Sequence, residues 1–594
     1  MAFQFPADAT KTAVSSYIMI APAELMCVPD GGIVLGLTIA GGEMAMQRRT
    51  VKLDAKDNVL VALSGLRAGE VVSDGDEKIT LTTDVPAKQK LALADMPAGT
   101  LILMYGVLVG KSTTQIARGE VLTTRNVRHE AAPYREKNGE YKWMAPDISR
   151  WQNRRFQGYQ RADGQVGTRN YWIVLPLVFC ENRNLGTLKQ AFEEELGFAK
   201  PQAYRQFVRE LAQAYRQGRS SEISDIPFTP ATQSTSPNPL FPNVDGIKFL
   251  VHEGGCGGTR EDSNNLCGLL AGYIHHPNVA GATVLSLGCQ HAQISILREE
   301  LKRRDPVLRK PVYFFEQQKS ASEAKMIEDC IRATFSGLLE ASKCRRTPAP
   351  LSALSLGLEC GGSDGFSGIS ANPALGHTSD LVTTLGGSAI LSEFPELCGV
   401  EQELIDRCVD ASTAARFAQL MHDYAARAKA VGSGFEMNPS PGNIKDGLIT
   451  DAIKSAGAAK KGGRSPVTAV LDYPEYLSKA GLNLQCTPGN DVESVTAEVG
   501  AGANVVLFTT GLGTPTGNPI APVVKISTNT ELAQRMSDII DLDCGGIVTG
   551  TSTVEEMGEQ ILEYVLSVAS GETHTRSEQL GQDDFIPWKR GVSL

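Results

Sequence analysis

The sequence predicts a small β-rich N-terminal domain followed by two α/β domains with largely parallel sheets. Three observations predict it. Before residue 130, short apolar runs are separated by glycines such as Gly31-Gly32, Gly41-Gly42 and Gly69. After residue 158, apolar strands alternate with helical periodicity, the pattern of βα units. The chain has 594 residues, too many for one hydrophobic core.

The elements follow in order. Residues 1–130 hold the apolar runs Ile33-Val34-Leu35, Val59-Leu60-Val61 and Leu101-Ile102-Leu103-Met104, each the length of a short strand. Residues 131–157 are charged, proline-containing and aperiodic, and read as a linker. A central α/β domain is expected over 158–400. Its first strand runs from Tyr171 to Phe179, with helical patterning over Leu185 to Ala214. A Ser/Pro-rich surface insertion is expected over about 196–243. Further strands are expected at Gly246 to Val251 and Val284 to Leu287, with a helix at Leu266 to Tyr273 between them. A C-terminal α/β domain is expected over 401–594, with a helix at Ala411 to Val431 and a strand at Val505 to Thr510.

The densest stretch is Gly357 to Glu401. Leucines at 354, 356 and 358 alternate into a strand that stops at Cys360. Gly361, Gly362, Gly365 and Gly368 follow, four glycines in eight residues, more than a turn requires. Asn372-Pro373 reads as a helix start, and Ala389-Ile390-Leu391 as the next strand. Ser363 and Asp364 therefore stand at one strand's carboxyl end, and Glu393 and Glu396 beyond the next. Ligands bind at that edge of parallel sheets.

Composition excludes several classes. Net charge is −10, and no basic run is interleaved with aromatics, which speaks against nucleic acid. No apolar run reaches the ~18 residues of a membrane span. The first residues lack a charged segment leading into an apolar one, so no signal peptide is expected and the cytoplasm is the expected location. The twelve cysteines are then free thiols or metal ligands. Gly511-Leu512-Gly513 is one residue out of register for a dinucleotide loop, and neither a phosphate loop nor a nucleophile elbow is present.

Four apolar strands end near a cysteine: Cys180, Cys256, Cys289 and Cys360. If the strands share one sheet, the thiols line one edge and form a soft-metal site for iron, zinc or an iron–sulfur cluster. None of the spacings is a CxxC pair. His252 and His291 stand at two of the same strand ends. The glycine-proline segment Asn438 to Asn443 presents N–H groups that suit a carboxylate or hydroxyls.

The stretches GYQRADGQVGTRNY, HEGGCGG, HHPNVAGATVLSLGCQ, LECGGSDGFSGISANPALG, LSEFPELCGVE, NPSPGNIKDGL and FTTGLGTPTGNP resemble the altronate/galactarate dehydratase family in order and spacing. The N-terminal part resembles that family's SAF domain, a β-clip fold. The long form is most similar to the altronate dehydratase branch. The resemblance implies a hydro-lyase that converts a hexonate or hexarate to a 2-keto-3-deoxy sugar acid. It also implies a divalent metal, Fe2+ or Mn2+; the iron–sulfur cluster that the strand-end cysteines suggest is the alternative. A homo-oligomer, a dimer, is expected. The N-terminal domain departs from the family. Histidine motifs resembling HPxDNV, GHK and HTHN are replaced by Asp54 to Val59, Lys88-Gln89-Lys90 and Thr123 to Asn126.

Such a dehydration needs a base, a stabilised enediolate and an acid. His252 is the expected base or acid, oriented by Glu253 or His291. Asp364, Glu393 and Glu396 are candidates for the second proton or for sugar hydroxyls. Arg169 and Lys445 are expected to hold the carboxylate, with main-chain N–H groups at Gly361 and Gly362, and Ser363 and Asn438 to contact substrate. Two rival readings are a sulfo-lyase acting on a sulfonated hydroxy acid and a non-catalytic sugar-acid-binding protein.

Overall fold

A computed structural model describes residues 48–200, 203–229 and 239–594. The expected strand at Ile33-Val34-Leu35 lies outside these residues. Within 48–130 the apolar runs pair antiparallel. Thr50–Val51, Val59–Ala62 and Lys90–Ala92 form one sheet, and Leu101–Met104, Val107–Ser112 and Val127–Arg128 another. Asp57 ties this region together, because its carboxylate accepts the backbone N–H groups of Asp54, Tyr105 and Gly106 at 2.8–3.1 Å. The residues after 131 form a strap without regular structure until Arg155. The strap is pinned, not loose: Trp151 is buried and its indole donates to Glu563 at 3.0 Å.

The central region builds a four-stranded parallel sheet in the order Gly246–Phe249, Tyr171–Pro176, Val279–Ser286, Val312–Glu316. The Tyr171–Pro176 strand is buried at every position, as a doubly covered parallel strand should be. Its Trp172 ring fills the space left by Gly281 and Gly337, where a Cβ would stand 2.4 and 2.0 Å from it. The expected long helix is two helices, Asn182–Glu195 and Ala203–Arg216. The second of these belongs to the insertion, whose ends meet where Leu240 N–H bonds Leu196 C=O.

Seven parallel strands form the larger sheet, in the order Val467–Leu471, Gly481–Gln485, Ser388–Leu391, Ser355–Cys360, Val505–Thr510, Val523–Ser527, Leu542–Asp543. This sheet corrects the expected boundary at residue 400, since two of its strands lie before that point and five after. The division between the two α/β regions falls instead near Arg346–Pro350, which leaves both sheets and pairs antiparallel with Arg155–Gln160.

Arg169 shows what holds the two halves together. Its guanidinium is fully buried and grips Glu578 with two bonds of 2.7 and 2.9 Å. It also donates to the carbonyls of Thr168 and Val568. Burial alone would raise the Glu578 pKa, yet Arg169 holds it well below the usual carboxylate range. Arg169 is therefore a tie within the fold and not the expected carboxylate holder. Arg169→Ala leaves a buried carboxylate without its partner and should cost about 3–5 kcal/mol in chemical denaturation. A loss well under 1 kcal/mol would show that the tie carries little.

Candidate active site

The predicted residues divide between two sheet edges. Cys180, Cys256 and Cys289 follow strands of the four-stranded sheet and are exposed. Cys360 ends a strand of the seven-stranded sheet and is buried. The expected four-thiol edge is thus corrected, because the strands belong to separate sheets. Among the described residues, ligand atoms converge in two groups of three, Cys360/Glu393/Glu396 and Glu359/Glu393/Asp491, each with its atoms within 4.8 Å of one another. Neither includes the other three thiols.

His252 has no ring nitrogen left for chemistry. One nitrogen lies 2.8 Å from the Pro176 carbonyl oxygen, and the other accepts the Gly254 N–H at 3.1 Å. Burial lowers its pKa to about 4, so it is neutral. These contacts make it a structural histidine and correct its assignment as the base. His276 is held in the same way, between the Ala503 carbonyl and the Asn278 N–H. His291 is half-buried with its Nδ1 3.2 Å from the Gly258 carbonyl, and Glu253, next to His252 in the chain, is exposed.

The carboxyl edge of the seven-stranded sheet gathers the other candidates. Cys360 stands at its centre. Its N–H donates to Glu393 at 3.3 Å, its thiol to Glu396 at 3.5 Å, and Ser363 donates to its sulfur at 3.4 Å. Lys454 bonds Glu396 at 2.6 Å and Asn438 at 2.7 Å. Lys461 pairs with Glu393. Glu393 is a non-glycine residue at φ 62°, a strained conformation of the kind that persists at functional sites. The Asn438 to Asn443 segment roofs the edge, with Asn443 donating to the Ser363 carbonyl at 2.8 Å.

Gly361 and Gly362 do a different job from the one expected. The Gly361 N–H is used by the Thr509 carbonyl, and a Cβ there would stand 1.9 Å from Asp491 Oδ2. Glycine is required so that this carboxylate can lie against the loop. Gly362, at φ 59°, gives its carbonyl to the N–H groups of Gly511 and Leu512. Asp364 is fully buried and accepts from Lys88, Phe366, Ser367, Thr528 and Asn529. With every lone pair engaged it is a brace for the loop and not a proton carrier. Lys445 is exposed, and its carbonyl accepts from Gln89 at 3.0 Å.

Electrostatics set this edge apart. Burial, with the Glu393 charge, raises Glu359 and Glu396 above the usual carboxylate range. Burial and the charges of Glu393 and Glu396 raise Asp491 to about 7, and burial raises Glu498 to about 8. Burial keeps the Cys360 thiol neutral. Burial also works against the charge on Lys454, but Glu396 outweighs it and holds the ammonium form.

Sequence reasoning missed Lys454, Lys461, Glu359, Glu498 and Asp491. A signal was present for Lys454. It lies in Asp451–Ala458, a helix of small residues buried all round, where a lysine has no wet face and must find a carboxylate.

Three comparisons with known families agree along the chain. The model described as "D-galactarate/Altronate dehydratase, C-terminal" matches residues 351–593. "D-galactarate dehydratase/Altronate hydrolase, second domain" matches 158–342, and "Altronate/galactarate dehydratase SAF domain" matches 48–130. The chain is similar to altronate dehydratase of Escherichia coli (strain K12), 33% identical over 92% of this chain and 99% of the relative. It is equally similar to altronate dehydratase of Bacillus subtilis (strain 168), 33% identical over 92% and 99%. Galactarate dehydratase (L-threo-forming) of Escherichia coli (strain K12) is 31% identical over 89% and 94%.

The raised carboxylates predict a pH dependence. A carboxyl whose folded pKa exceeds its unfolded value of about 4 stabilises the fold at low pH and loses that contribution as pH rises through the folded value. With Asp491 at about 7 and Glu498 at about 8, cation-free protein should lose stability as pH rises from about 6.5 to about 8, above the acid window in which the buried neutral His252, His275 and His276 gain stability with pH. Thermal melts across that range check this, and Asp491→Asn should flatten the slope. A melting temperature that rises over the same window would contradict it.

Proposed function

This chain belongs to the D-galactarate/altronate dehydratase family, and on that footing we propose that it removes water from a sugar acid, a hexonate such as D-altronate or a hexarate, leaving a 2-keto-3-deoxy acid. The observation that carries the reading is the buried Lys454–Glu396 pair beside Cys360.

Elimination needs a base for the α-proton and a proton for the departing 3-hydroxyl. Glu396 is the base, its basicity raised by burial. Lys454 is the acid. Its proton is held by the Glu396 charge, so when Glu396 takes the α-proton that hold disappears, and burial then favours release of the lysine's proton. The 3-hydroxyl leaves as water with that proton. The enol tautomerises to the ketone, and transfer across the 2.6 Å contact from Glu396 to Lys454 restores both groups. The Asn438 amide, held by Lys454, and Ser363 border the same edge and suit sugar hydroxyls.

A divalent cation, Fe2+ or Mn2+, fits beside this pair. Glu359 and Glu393 each bury a carboxylate oxygen with no hydrogen-bond partner, and Asp491 completes an all-oxygen trio. Bound there, it would supply Lewis-acid stabilisation of the substrate carboxylate.

The test is an anaerobic incubation with iron(II) and a panel of aldonates and aldarates, assayed for 2-keto-3-deoxy product. Turnover of at least one is expected, and Glu396→Gln and Lys454→Met should each lower kcat by about 10²–10⁴-fold. No product from any sugar acid would overturn the dehydratase reading.

A further inference from the structure

The carboxyl edge of the four-stranded sheet carries three thiols that the dehydration scheme leaves idle. We propose that Cys180, Cys256 and Cys289 bind a four-iron, four-sulfur cluster through three thiolates. The three loops that carry them are bonded into one surface. Phe179 N–H bonds the Gly254 carbonyl at 3.1 Å, Ala292 N–H bonds the Gly255 carbonyl at 3.1 Å, and Asn182 donates to the His252 carbonyl at 2.9 Å. Cys256 thus lies on the middle loop, between the loops of Cys180 and Cys289. Gly255, at φ 95°, lets that loop close down, since a Cβ there would meet the Leu177 carbonyl at 1.9 Å.

The donor set suits a cluster better than a single ion. Three sulfur ligands favour iron–sulfur chemistry or a soft ion. A single ion would draw three sulfurs into one tight group, and these three form none. A cube spreads its ligands over separate irons and needs them farther apart. Gln318 already donates to the Cys289 sulfur at 3.2 Å, the kind of hydrogen bond that tunes cluster potentials. Beside Cys180, oxygens of Glu181, Asn182 and Asn184 are buried without a partner. They are acceptors, and they match the hydroxyls of a polyhydroxy ligand. Three thiolates leave one iron of the cube without a protein ligand, open to an oxygen of such a ligand. All three thiols are exposed, so a cluster can be inserted into the folded chain.

The experiment is anaerobic reconstitution of the full chain with iron(II) and iron(III) in equal amounts, sulfide and a thiol to keep the cysteines reduced, then gel filtration. A broad visible absorption band with about four iron and four sulfide per chain is expected. Cys180→Ser, Cys256→Ser and Cys289→Ser should each lower retained iron and sulfide by roughly tenfold or more. Cys344→Ser, a half-buried thiol elsewhere, should not. Should a serine variant fail to fold, alkylation of the parent chain gives the same answer. Cys180, Cys256 and Cys289 should label in the cluster-free protein and be protected after reconstitution. Iron retained without sulfide, or equal labelling in both states, would overturn the proposal. Neither readout needs turnover, so either failure leaves the dehydratase reading standing.

Discussion

The carboxyl edge of the seven-stranded sheet buries more carboxyl groups than cations. Glu359, Glu393, Glu396 and Glu498 lie within the fold, and Asp491 presses on the glycine loop, against two buried lysines, Lys454 and Lys461. Burying an unpaired charge costs several kcal/mol, so such a cluster persists only by pairing, by holding protons, or by taking a cation. Here Lys454 pairs with Glu396, Lys461 pairs with Glu393, and burial pushes the remaining carboxyls toward the protonated form. The same imbalance that weakens the fold gives the edge groups able to exchange protons near neutral pH.

The surroundings exist to hold that edge still. Lys88, from the small β region, adopts φ 74° and bridges Asp364 at 2.9 Å and Asp446 at 3.0 Å. Asp364 in turn braces the loop that carries Gly361 and Ser363. Lys90, fully buried, donates to the Gly447 carbonyl below the same roof. Gln89, between these two lysines, donates to the Lys445 carbonyl at 3.0 Å. In this chain the β region positions the edge through lysines and carbonyls.

What was legible in the sequence was what depends on local pattern. The Ser355–Cys360 strand followed from its alternating leucines, and the glycine loop from its four glycines. The helix start was misplaced because Asn372 does not cap. Its side chain bonds the Gly457 carbonyl and Thr509 instead, contacts made by residues 85 and 137 positions away. The helix begins at Ala371. His252 stood at a strand's carboxyl end as expected, but only the fold shows that the Pro176 carbonyl and the Gly254 N–H occupy its ring. The cysteine edge was half right. Strand-end grammar cannot say which sheet a strand joins, and Cys360 joins the other one. Lys454 went unseen because its partner lies 58 residues away, joined by neither motif nor spacing.

The central claim is that Glu396 takes the α-proton and Lys454 expels the hydroxyl. Proton exchange at the α-carbon in heavy water separates the two steps. Lys454→Met should still exchange the α-proton of a sugar-acid substrate while forming almost no keto product, and Glu396→Gln should do neither. Exchange that survives in Glu396→Gln at the parent rate would contradict the account.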